Sequence, residues 1–219
     1  MRRIRLGEDD FWTIPAIAAD LRALGLAAGD AVMVHASLRR VGPVLGGADG
    51  VIAALGDVVG PQGCILAYVS WLEQFEDALG PDGRLDPALK PFIPPFDPAT
   101  SRANPDHGWL AEALRTTPGA RRSGNPGASV AALGAGADAF TADHPLDHGY
   151  GAGSPFARLV AAGGQVLMLG APLDTMSLLH HAEHLAEIPG KHVRQMEVPL
   201  ATPAGTVWQA IEEFDTVDP

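Results

Sequence analysis

The feature that most constrains this chain is an alternation repeated four times: an amphipathic helical pattern, then an apolar run of strand length. Thr13 with Pro15 opens the first helix, which carries Ile14, Ile17, Ala18, Leu21 and Leu24 on one face and ends at Gly25. The run Ala31-Val-Met-Val-His-Ala36 follows as a buried strand. The same order returns in 51–59 then 64–69, 109–114 then 128–133, and 156–161 then 166–169. At 219 residues and 47% hydrophobic, the chain is long enough to bury a full core. Together these predict one α/β domain over 1–219, with a mixed, mostly parallel central sheet flanked by helices. In such sheets ligands bind beyond the carboxyl ends of the strands, so the loops after 36, 69 and 169 should meet at one edge.

Two segments depart from the pattern. Residues 70–106 are rich in proline and acids and too long for a simple connection. Beyond Glu197, runs at 198–200 and 206–214 alternate around Pro203-Ala-Gly205, which predicts an antiparallel C-terminal hairpin.

Charge narrows the partners. With 15 basic and 26 acidic side chains the formal charge is -11, which disfavours nucleic acid and anionic membrane and favours cationic ligands. No apolar stretch approaches the ~20 residues of a membrane span. The N-terminus, Met1-Arg-Arg-Ile-Arg5 then Glu8-Asp-Asp10, lacks an apolar signal core. Cys64, the single cysteine, sits in an apolar run and reads as a core residue, so the expectation is a cytoplasmic protein.

The chemistry concentrates in Leu178-Leu179-His180-His181-Ala182-Glu183-His184. A helix is expected there from an N-cap at Asp174 or Thr175 to about Glu187. His180, Glu183, His184 and Glu187 would share one face, with Leu178, Ala182 and Leu185 docking the opposite face on the sheet. Three readings fit the turn: a solvated helix face, a zinc site of the H-x-x-E-H kind, or a metal-free base whose His180 is oriented by Glu183.

Six motifs occur in order: His35-Ala-Ser-Leu-Arg-Arg-Val-Gly42, Phe96-Asp-Pro-Ala-Thr100, Arg121-Arg-Ser-Gly-Asn-Pro126, Gly153-Ser-Pro155, Leu169-Gly-Ala-Pro172 and Leu179-His-x-Ala-Glu183. From about residue 21 to its end the chain resembles the aminoglycoside 3-N-acetyltransferases, an antibiotic acetyltransferase family unrelated to the GNAT fold. The resemblance implies transfer of an acetyl group from acetyl-coenzyme A to the 3-amino group of a 2-deoxystreptamine ring. It makes His180 the base with Glu183 beside it, and weighs against zinc, because no metal takes part in that chemistry.

By the same resemblance the coenzyme A contacts are His35, Ser37, Leu38 and Arg39 after the first strand, with Gly153 and Ser154 at the opening of a later helix. Ser123 and Asn125 are further candidates. A helix N-terminus near Ser154 would offer N–H groups to pyrophosphate, although Ser154-Pro155 also reads as an ordinary N-cap with Pro at N1. The pairs Arg39-Arg40 and Arg121-Arg122 can equally be solvated loops. For the oxyanion, a backbone N–H or the Ser37 hydroxyl is a candidate donor.

A polycationic aminoglycoside needs carboxylates, and Glu73, Glu76, Asp97, Glu213 and Asp215 are the acids expected to supply them. Trp71 would either stack on a sugar face or cap the core. Two departures from the family pattern stand out. Asn125 occupies a place where several relatives carry histidine, so no histidine role passes to it. Relatives also continue past the position of Pro219, so the sequence reads as lacking the family's C-terminal part. An acetyltransferase for another amine, or an inactive ligand-binding remnant, are the alternatives.

Overall fold

A computed structural model describes residues 2–71 and 75–215. An antiparallel pair, β1 (Arg3–Leu6) and β2 (Asp9–Trp12), leads into α1 (Ile14–Ala23), β3 (Ala31–Ala36), α2 (Leu38–Val41), α3 (Gly47–Val59) and β4 (Cys64–Tyr68). After the long proline-rich segment come α4 (Trp109–Thr116), β5 (Arg121–Arg122), β6 (Val130–Gly134), α5 (Ala137–Thr141) and α6 (Pro155–Ala161). The described part closes with β7 (Gln165–Leu169), α7 (Leu178–Leu185), β8 (Val193–Thr202) and β9 (Gly205–Phe214).

The central sheet has the order β5–β6–β4–β3–β7 and is mixed. β4, β3, β7 and the edge strand β5 run in one direction, and β6 alone runs against them. Side-chain alternation sorts the core into two layers. Val32, Val34, Ile65, Ala67 and Ala131 face one side, where Leu21, Leu55 and Leu114 of α1, α3 and α4 cover them. Met33, Cys64, Leu66, Val130 and Ala132 face the other, under Ala137, Phe156 and Leu159 of α5 and α6, with Leu178 of α7 packed alongside. Cys64 is buried there, and burial pushes its thiol up to about 11, as suits a core residue.

The hairpin prediction holds, with longer strands: β8 and β9 pair from Val193↔Phe214 to Thr202↔Gly205. Phe75, Met196, Val198 and Ile211 form a separate apolar cluster under the proline-rich segment, with Trp71 packed against it. The segment is stitched to β8 by Phe96 N to Pro199 O (2.8 Å) and Glu197 N to Gly83 O (2.8 Å). Gly83, at φ +71, comes so near that a Cβ would lie 1.9 Å from Gln195 O.

Helix α7 corrects two expectations. It starts after Ser177, because 173–175 form a separate 3-10 turn in which Thr175 Oγ1 donates to Pro172 O (2.7 Å). It ends at Leu185, with Ala186 extended, so Glu187 is not on the helix. Its docked side is Ser177, Leu178, His181 and the His184 side chain, whereas Ala182 and Leu185 are exposed. Histidine joins leucine in holding this helix down: Leu178 packs on the core, and buried His181 donates from Nδ1 to Tyr150 O at 2.6 Å. No helix among the described residues is long and apolar enough to cross a membrane.

Candidate active site

Because β3, β4 and β7 are parallel, their carboxyl ends open on one edge, as expected. The turn after β3 and the residues after β7 line one cavity of about 700 Å³, shared by Ser37, Leu38, Arg39, His107, Ala171 and Pro172. Gly108 lets the start of α4 close against this edge; at φ +81, a Cβ there would stand 3.2 Å from Ala36 O. His35 lines a smaller adjoining cavity of about 170 Å³ with Tyr68, His107 and Ser177. Burial lowers the His35 imidazole to about 4, so it is neutral at pH 7.

A second large cavity, of about 710 Å³, is acidic, lined by Glu76, Asp77, Glu213 and Asp215 together with Tyr68, His107, Tyr150 and His180. His180 Nδ1 lies 2.8 Å from Glu183 Oε2, one helical turn on, and its ring is 4.9 Å from that of Tyr150. Its side chain is 35% exposed and that of Glu183 40% exposed. With Nδ1–H donated to the carboxylate, Nε2 keeps the lone pair that a base requires.

His107 links the spaces, since it lines all three cavities. Its Nε2 is 2.5 Å from the hydroxyl of buried Ser70, and its ring lies 4.5 Å from that of Tyr68. Burial lowers it to about 4, opposed by neighbouring Asp106. Asn104 shapes the turn by accepting from Asp106 N at 3.0 Å. Nothing in the sequence pattern marks His107: it sits in the irregular loop, and only the fold carries it to the sheet edge. Asp77 was likewise missed, one more acid in a stretch full of them.

Other expected residues are engaged in local contacts. Ser123 is buried and accepts from Val130 N (2.9 Å) while facing His144 Nδ1 (2.8 Å), so its hydroxyl is used inside the core. Ser154 is also buried and caps α6 by accepting from Ala157 N at 3.1 Å; with Gly153 it stands outside the cavity of Ser37–Arg39. That is the plain N-cap reading. Asn125 braces a loop by donating to Pro145 O and Leu146 O and accepting from Ala128 N. Asp97 folds onto its own turn, accepting from Ala99 N and Thr100 Oγ1. Trp71 packs on Phe75 and Phe96 at a different cavity, which makes it a core cap. Glu73 lies outside the described residues. Ser37 N–H is bonded to Leu169 O (3.0 Å), which removes it as an oxyanion donor.

The arginine pairs split. Arg39 and Arg40 are exposed at the cavity rim. Arg122 is half-buried, stacks on Phe96 at 4.9 Å and donates to Ser129 Oγ, Ser101 O and Val69 O. Burial lowers it to about 9. Glu76, paired with Arg194 at 3.3 Å, is raised by burial, against the pull of that arginine.

The H-x-x-E-H zinc reading does not match this geometry, since His180 turns to Glu183 while His184 turns to Glu213. The model of the family described as aminoglycoside 3-N-acetyltransferase matches residues 33–219. The chain belongs to the aminoglycoside 3-N-acetyltransferase family. Aminoglycoside N(3)-acetyltransferase III of Pseudomonas aeruginosa is 48% identical over 200 residues, which cover 90% of this chain and 73% of that protein. The solved structure of AAC-IIIb, binary with CoASH, is 64% identical at a TM-score of 0.93, covering 95% of this chain and 78% of its own. AAC-VIa bound to sisomicin is 39% identical at a TM-score of 0.89, covering 94% and 77%. In this acetyltransferase, therefore, the His180–Glu183 pair and the two cavities belong to a fold shared with enzymes of acyl transfer.

Proposed function

We propose that this chain transfers the acetyl group of acetyl-coenzyme A to the 3-amino group of the 2-deoxystreptamine ring of an aminoglycoside, with His180 as general base and Glu183 as its orienting partner. The single observation that carries this reading is an imidazole fixed at Nδ1 by a carboxylate (2.8 Å) on the wall of an acid-lined cavity. An aminoglycoside arrives as a polycation, and Glu76, Asp77 and Asp215 give its ammonium groups partners. Coenzyme A takes the neighbouring cavity along Ser37, Leu38 and Arg39, where exposed Arg39 meets phosphate.

In the reaction the amine nitrogen forms a bond to the thioester carbonyl carbon, the C–S bond breaks, and the thiolate leaves. His180 Nε2 takes the proton from nitrogen and passes it on to the thiolate. Glu183 holds the ring and stabilises the imidazolium formed in between. His107, neutral and fixed by Ser70, is the donor assigned to the oxyanion, because it stands where the cofactor and acidic cavities adjoin. The reaction uses acetyl-coenzyme A as co-substrate and routes no step through a metal. The acidic balance of the chain fits a small cationic partner in the cytoplasm, with neither nucleic acid nor membrane involved.

The test is thiol release from acetyl-coenzyme A across a panel that includes gentamicin and kanamycin, with wild type, His180→Ala and Glu183→Gln. Release that depends on aminoglycoside, with near-complete loss in His180→Ala, is the expected outcome. Equal turnover in all three would refute the assignment.

A further inference from the structure

We propose that His148, His184 and Glu213 form a binding site for a divalent transition-metal ion of the zinc class, separate from the His180–Glu183 pair. The three residues come from the loop before α6, from α7 and from β9, and their donor atoms all lie within 4.8 Å of one another. Two imidazole nitrogens and a carboxylate oxygen are the donor set zinc takes in open, three-ligand sites.

The second observation is independent of that clustering. Among the described residues only three buried side-chain polar atoms lack a hydrogen-bond partner, and two of them are His148 Nδ1 and His184 Nε2. Buried nitrogens without partners are costly, and an ion between them satisfies both. The His184 side chain is 4% exposed; its Nε2 lies 2.8 Å from Glu213 Oε1 but outside hydrogen-bond alignment.

The surroundings fix the donors as an outer shell does. Glu213 Oε2 accepts from Gly149 N at 2.6 Å and Oε1 from Phe214 N at 2.9 Å, so the carboxylate is aimed by the backbone. His148 takes φ +52, an uncommon conformation for its residue type, while its N–H bonds Glu212 O at 2.7 Å and holds the loop on β9. Zinc bonds of about 2.0–2.2 Å at tetrahedral angles set donors roughly 3.3 Å apart, so binding opens the 2.8 Å His184–Glu213 pair and brings the remaining donors, all within 4.8 Å, to that spacing. The ion would thus tie three distant segments together.

The experiment adds cobalt(II), then zinc, to the chelator-treated full chain, reading visible absorption, stoichiometry and melting temperature. One equivalent of cobalt with strong bands of low coordination number, displaced by zinc, and a melting temperature raised by zinc are expected. His148→Ala and His184→Ala should each weaken binding by about tenfold or more, whereas His192→Ala should bind as wild type does. No stoichiometric binding by the wild type overturns the proposal, whether or not the variants fold. So does binding that survives His184→Ala but is lost in His180→Ala.

Discussion

His180 and His144 are both imidazoles whose Nδ1 meets a single side-chain oxygen at 2.8 Å, yet one lines an open cavity and the other is sealed in the core. His144 accepts from Ser123 and donates from Nε2 to Gly149 O at 2.7 Å, so both ring nitrogens are spoken for. Burial lowers it to about 4, opposed by that carbonyl, and it stays neutral. His180 has a carboxylate instead of a hydroxyl, is a third exposed, and keeps Nε2 for a substrate. A partner therefore does not make a histidine a base; a carboxylate on one nitrogen and an open cavity at the other do.

The comparison can be broken from either side. The largest effect is expected for His180→Ala, with kcat down by about 10²–10⁴-fold and little change in melting temperature. The mirror case is His144→Ala, which strands the Ser123 hydroxyl and the Gly149 carbonyl. It should cost about 1–3 kcal/mol of stability in denaturant titration and leave kcat per folded molecule unchanged. Loss of turnover in His144→Ala without loss of stability would undo the contrast.

Glu183→Gln keeps a hydrogen-bond acceptor but removes the charge beside the imidazolium. Steady-state kinetics should show about a tenfold fall in kcat, the equivalent of about 1.4 kcal/mol, with KM held. A milder sharpening comes from acid. His35, His107 and His144 have folded-state values near 4 against 6.5 ordinarily, so the unfolded chain binds more protons between those limits. Stability contributed by these neutral rings is complete above about pH 6.5 and is lost as pH falls toward 4, which a series of denaturant titrations would show. The smallest effect is expected for Arg39→Ala, a rise in KM for acetyl-coenzyme A from the loss of one exposed cation.

Much of this was legible in the residue pattern, for physical reasons. Strands such as 31–36 are buried on both faces and so read as continuous apolar runs, and the helices between them carry one apolar stripe. The carboxyl-edge rule placed Ser37 and the His180 turn on the same side. The pattern is silent where a side chain is engaged by its own local backbone. Ser123, Ser154 and Asp97 have the chemistry of contact residues, but each is spent on a local backbone bond that the pattern does not reveal. On helix α7 Leu178 docks as the apolar pattern implies, but His181 docks beside it because its Nδ1 finds the Tyr150 carbonyl, and the His184 side chain is buried with it. His107 and Asp77 come from an irregular loop, whose path is set by contacts with β8 and the sheet edge rather than by periodicity.

The most direct measurement is aminoglycoside-dependent thiol release by His180→Ala, with and without added imidazole. The account expects turnover at least about a hundredfold below wild type, with part of it restored by imidazole entering the open cavity. Turnover close to wild type without imidazole would contradict it.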